Sequence, residues 1–151
     1  MTVIDTSTLD FSEPVASASY REIIETIISS LENGTNAMVS HTDNGELWKF
    51  AYGSVEVFVL LTGETDDDFL MVWSPVLALP VTDEPGLLRH LLELNWTDTF
   101  EASFALANGQ VIVTSQRTVA ELSPGEVARA ITLVADIADD NDERLAAEYN
   151  S

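Results

Sequence analysis

The sequence predicts an α+β domain. Three helices flank an antiparallel sheet of five to six strands, in the order α-β-β-β-β-α-β-β-α. Three observations carry this reading. Helical and strand-like periodicities are segregated along the chain rather than alternating. The strand-like runs are joined by hairpin turns, Asn44-Gly45 and Asn108-Gly109. Two helix starts carry Ser-x-x-Glu capping boxes, Ser19 with Glu22 and Ser123 with Glu126.

Residues 1–18 read as an N-terminal arm, either mobile or packed through Val3, Ile4, Leu9 and Phe11. Residues 19–151 read as one domain. Tyr20, Ile23, Ile24, Ile27, Ile28 and Leu31 form one helix face, and Asn33-Gly34 ends that helix. Strands follow at residues 36–41, 47–52 and 55–61. An acidic loop at 63–68 leads to a fourth strand at 69–73, which Pro75 limits. Asp83, Glu84 and Pro85 start a second helix that ends near Asn95. Its five leucines, Leu87, Leu88, Leu91, Leu92 and Leu94, make a wide apolar stripe. All of it belongs to the core, or part of it faces a second subunit. Residues 100–107 and 110–115 form the last hairpin. The closing helix keeps its apolar period for about 26 residues, or ~39 Å. Its acidic second half is expected to project beyond the sheet.

The chain has 151 residues, 26 Asp and Glu against 6 Lys and Arg, and a net charge of −20. Such a charge argues against a phosphate backbone and against anionic membranes, so neither nucleic acid nor a membrane is an expected partner. Without cysteine, thiolate metal sites, disulfides and Cys nucleophiles are excluded. A hydrophobic content of 46% is too high for a disordered acidic tail. The first residues carry no Lys or Arg, unlike a secretory signal, and a cytoplasmic location is expected.

No motif for catalysis emerges. His41 and His90 have no metal-ligand spacing between them. No G-x-S-x-G, P-loop or G-x-G-x-x-G is present. The run Asp139–Glu143 lacks the glycine of a calcium loop and reads as a solvated helix face, as the 64–68 run reads as a solvated loop. No catalytic, cofactor-binding or metal-binding residue is therefore expected, and no cofactor. The candidate dimer or partner surface is apolar: Leu87, Leu88, Leu91 and Leu94 on the second helix, with Trp48, Phe50 and Tyr52 alternating along one strand. Phe58 and Leu60 are expected to continue that aromatic face on the neighbouring strand, unless the aromatics are core.

The stretches Leu87–Asn95 (LLRHLLELN), Phe104–Val111 (FALANGQV) and Leu122–Asp139 resemble the YbjN-type family of bacterial proteins, whose fold is similar to type III secretion chaperones. The likeness covers residues from about 19 to 149. It implies an acidic, cytoplasmic homodimer that holds a segment of another protein, and it carries over no catalytic residue. The leading reading is thus a non-enzymatic chaperone-like or adaptor protein. The alternatives are a small-molecule-sensing domain with an apolar pocket between helix and sheet, a hydrolase, and an acidic mimic of nucleic acid.

Overall fold

A computed structural model describes residues 19–32 and 37–150. The expectations for the N-terminal arm and for the Asn33-Gly34 stop lie outside the described residues. The order is α1 (Tyr20–Leu31), β1 (Met38–Thr42), β2 (Gly45–Tyr52), β3 (Val55–Leu61), β4 (Phe69–Ala78), α2 (Glu84–Thr97), β5 (Ser103–Ala107), β6 (Gln110–Thr118) and α3 (Pro124–Tyr149). The strands make one antiparallel sheet in the spatial order β1-β2-β3-β4-β6-β5. This is the architecture the periodicities predict, with six strands.

Both capping boxes form. Ser19 accepts from the Glu22 N–H and Ser123 from the Glu126 N–H, while each Glu side chain accepts from its Ser N–H. Arg117 adds an ion pair to Glu126 at 3.0 Å. Together these contacts hold the Glu126 carboxyl below its ordinary range, the Ser123 N–H contributing most.

The core lies between the sheet and α3. Val57, Val59, Val72, Val111 and Val113 present their side chains to Val127, Ile131, Val134, Ala135 and Ala138, all fully buried. α1 packs against α3 through Ile24 and Ile28, and α2 lies by β5. Small residues at Ala135 and Ala138 let the α3 backbone approach the β-branched strands closely.

Four expectations change. Pro75 does not end β4, which runs to Ala78 with a register shift between Pro75 and Leu77. The β3 ladder stops at Trp73, so the missing Pro75 N–H falls beyond the part of β4 paired with β3. The last hairpin strand begins at Ser103 rather than at residue 100, because Phe100 takes a left-handed φ of 54°. α3 does not project: Leu145 and Tyr149 are buried, and the Tyr149 carbonyl accepts from the Thr82 N–H at 3.0 Å. Finally, Phe58 and Leu60 do not share a face with Trp48 and Phe50. The register pairs Lys49 with Phe58 and Leu47 with Leu60, whereas Trp48 and Phe50 pair with Val59 and Val57. A strand with apolar residues on both faces hides this parity until its partner is known.

Leu87 is fully buried, so Leu87→Ala should destabilise the subunit by about 2–5 kcal/mol in urea unfolding, the usual loss for a core leucine. Leu92 is 70% exposed, so within the subunit itself Leu92→Ala should cost far less than Leu87→Ala. Leu87→Lys or Leu91→Lys should abolish folding.

Candidate functional site: two apolar surfaces

The residues singled out from sequence divide by their angle around each element. Leu87 and Leu91 face the core, as do Trp48 and Phe50, each under 5% exposed. They are corrected from surface to core, since helices α1 and α3 cover that sheet face. Trp48 keeps a polar handle, its Nε1–H donating to Glu25 at 3.2 Å. Leu94 is partly buried against the core, and Leu88 is half-buried. Tyr52 is half-buried, with its hydroxyl donating to Asp136 on α3.

Two residues stand out, Leu92 from the leucine stripe and Trp96, which the sequence reading did not single out. Leu92 and Trp96 are 70% and 87% exposed. With Leu88 they fall at i, i+4 and i+8, a second stripe overlapping the buried one. That spacing was readable, but Trp96 lies outside the leucine run that drew attention. Leu106 on β5 is 52% exposed beside this stripe. Leu88, Leu92, Asn95 and Leu106 border a shallow, mainly apolar groove of about 300 Å3. Asn95 fixes its floor: its Oδ1 accepts from the Phe104 N–H at 2.7 Å and its Nδ2 donates to the Phe104 carbonyl.

The second surface is the sheet face turned away from the helices. Register aligns Leu47, Leu60 and Met71 in one row across it, and Lys49, Phe58 and Trp73 in the next. The Phe58 and Trp73 rings stack with centroids 5.3 Å apart and planes 10° apart. These side chains are half-exposed, and no described helix covers them.

The acidic clusters are more than solvated surface. Asp139 accepts from the Ser54 N–H and hydroxyl at 2.9 and 3.0 Å, and Ser54 also donates to Asp142. Between them Gly53 has a φ of +56°, and a Cβ there would lie 2.2 Å from Asp139 Oδ1. Glycine is required on both counts. In the 62–68 loop Asp68 accepts from the Thr65 N–H, the Thr65 hydroxyl and the Thr62 hydroxyl. These donors, Thr65 first, hold its carboxyl below the ordinary range. Glu64 accepts from the Tyr20 N–H at 3.0 Å, tying the start of α1 to that loop. Of the histidines, His41 sits 3.1 Å from Glu46 on the exposed edge strand, and His90 lies on α2. Among the described residues no group of three or more His, Asp and Glu is placed to hold a metal. No helix there is long and apolar enough to cross a membrane.

A two-layer α+β subunit of this topology has the fold of type III secretion chaperones. Two solved structures show it. One is the ExsC–ExsE complex, at a TM-score of 0.60 and 19% identity over 82% of this chain and 91% of that one. The other is the HopA1–SchA chaperone–effector complex, at 0.55 and 14% over 90% and 99%. Within that class the chain belongs to the YbjN family, described as "Putative bacterial sensory transduction regulator", whose model matches residues 20–147. No curated protein matches the chain.

The Tyr52 hydroxyl is pushed up to about 12, first by its hydrogen bond to Asp136, then by burial and the charges of Asp136, Asp139 and Asp140. Its folded value exceeds the ordinary 10.0, so the contribution of this bond is complete below pH 10 and lost as pH rises through about 12. Tyr52→Phe should therefore lower stability at neutral pH. The gap to the unmodified protein should close across that alkaline window in urea unfolding. A gap that stays constant with pH would assign the loss to packing.

Proposed function

We propose that this protein is a non-enzymatic chaperone-like adaptor that acts in the cytoplasm as a homodimer and holds a segment of another protein. The observation that carries the reading is the uncovered sheet face of Leu47, Phe58, Leu60, Met71 and Trp73. Burying an exposed leucine or phenylalanine side chain is worth about 1.5–3 kcal/mol. A row of such residues left half-exposed by the subunit is therefore suited to an occupant. The similarity to chaperone–effector and ExsC–ExsE complexes supports a protein as that occupant. With a net charge of −20, the occupant best matched is an apolar segment interspersed with Lys and Arg. The same charge speaks against nucleic acid and anionic lipid as partners.

The homodimer reading assigns the Leu88, Leu92 and Trp96 stripe with Leu106 to the second copy. A helix face carrying an 87%-exposed tryptophan is typical of an interface core, where aromatic residues are enriched. The same stripe on both copies satisfies the self-complementarity of a two-fold contact. Of the groove residues Leu88, Leu91, Leu92, Asn95, Phe104, Ala105 and Leu106, none is charged, and beside Leu92 and Trp96 the acidic Glu93 is accompanied by the basic Arg89.

Light scattering over a concentration series should find a dimer that Leu92→Glu combined with Trp96→Glu converts to a monomer with unchanged circular dichroism. A strictly monomeric unmodified protein ends the homodimer reading. For the client, affinity capture from native extract should yield a polypeptide that the folded variant Leu60→Glu with Trp73→Glu no longer retains. Equal capture by that variant would remove the sheet face as the holding surface.

A further inference from the structure

The outer side of α2 carries charge as well as apolar surface. At about 100° per residue, Pro85, Arg89, Leu92 and Trp96 fall within an arc of about 60°. That arc lies opposite Leu87, Leu91 and Leu94, which pack towards the core. All four side chains of the arc are exposed, with Glu93 beside them.

Arg89 is the unusual member. Of the six cationic side chains, Arg21, Lys49, Arg117 and Arg129 are held in ion pairs with carboxylates, and Arg144 donates to the Asn141 side chain. Among the described residues Arg89 has neither an ion pair nor a hydrogen bond, although Glu93 lies one turn further along α2. Nor can it stack on its own Trp96, two turns away and about 10.5 Å along the axis. An exposed guanidinium and an exposed indole on one helix face are the two halves of a cation–π contact that needs a second surface.

A copy of the same helix supplies that surface. Positions 89 and 96 share their midpoint with positions 92 and 93. A two-fold axis through this midpoint sets Arg89 level with Trp96 of the partner subunit, and the reverse, with the two copies of Leu92 at the centre. Arg89 then also comes within one turn of Glu93 of the partner subunit. Parallel helices would instead set Arg89 against Arg89 of the partner subunit and Glu93 against Glu93 of the partner subunit, and such like charges oppose association. The face holds one cation and one acid, so it adds nothing to the repulsion between subunits of charge −20.

We infer that two copies pair through α2 in antiparallel orientation, with Arg89 of each subunit on Trp96 of the partner subunit. The inference rests on the homodimer reading and gives it an orientation and a charged contact. The leucines supply apolar area, and the Arg89–Trp96 contacts fix the register, since a slip of one turn takes both guanidinium groups off the indoles.

The chain has no cysteine, so single-cysteine variants of the full chain report the pairing under mild oxidation. Leu92→Cys and Glu93→Cys, beside the two-fold axis, should each form an intermolecular disulfide in high yield. Pro85→Cys should form none. Its two copies stand about 22 Å apart along the helix axes, and a disulfide needs Cα atoms within about 7 Å. Arg89→Glu should raise the dimer dissociation constant at least about tenfold in sedimentation equilibrium, with unchanged circular dichroism, and Arg89→Lys should recover part of the affinity. A disulfide through Pro85→Cys overturns the antiparallel orientation. A dimer in light scattering that neither Leu92→Cys nor Glu93→Cys cross-links overturns the α2 pairing and leaves the protein a homodimer by another surface. Undiminished association of Arg89→Glu removes the Arg89–Trp96 contact. A strictly monomeric protein ends the inference together with the homodimer reading.

Discussion

The packing of α3 across the central strands is the contact on which the rest of the structure depends. Val127, Ile131, Val134, Ala135 and Ala138 meet the valines of β3, β4 and β6 without exposure. The 26-residue helix is about 39 Å long at 1.5 Å per residue. A six-stranded sheet is about 24 Å wide at ~4.8 Å between strands. One such helix, with α1 beside it and α2 at the β5 edge, is enough to cover one sheet face. A single helical layer cannot also cover the other. The uncovered face thus follows from the number and order of the elements. Its apolar side chains, Phe58 and Trp73 among them, are what a purely solvated face would lack.

The same helix explains where much of the negative charge goes. Its polar side reaches the β2–β3 turn, where Asp136, Asp139 and Asp142 accept from Tyr52 and Ser54. These carboxylates anchor a hairpin to a helix distant in sequence, a role that needs acceptors and no cations. Asp68 and Glu64 do comparable work at the β3–β4 loop and the start of α1. Excess charge repels itself at long range, but each of these groups is held by donors at short range, where the local bond outweighs the screened repulsion.

Element order, both capping boxes and the hairpins were legible in the sequence because each rests on local signals: a period, a Ser-x-x-Glu spacing, an Asn-Gly pair. The allocation of faces was not. In Val55–Leu61 (VEVFVLL) both parities are mostly apolar. Only the register with β2 and β4 reveals that Val57 and Val59 go inward and Phe58 and Leu60 outward. In α2, Leu87 and Leu91 compete with Leu88 and Leu92 for the same sheet, and successive residues differ by only 100° around the axis. The tertiary position of β5 decides between them. The acidic half of α3 reads as projecting because polarity suggests solvent, yet Leu145 and Tyr149 keep the period and bury.

α2 is the element on which these surfaces converge, and it separates them by angle. Leu87 and Leu91 fix it to the core. Leu88, Leu92 and Trp96 turn outward towards β5 and solvent, while Leu94 and Asp98 look to α3. A helix anchored by two fully packed leucines does not shift without opening a cavity, at a cost that grows with the volume exposed. Any displacement of α2 is therefore limited to what keeps Leu87 and Leu91 packed. The open sheet face lies on the other side of that core. The exposed stripe of α2 and the open sheet face are thus carried on one frame, held by the same buried side chains.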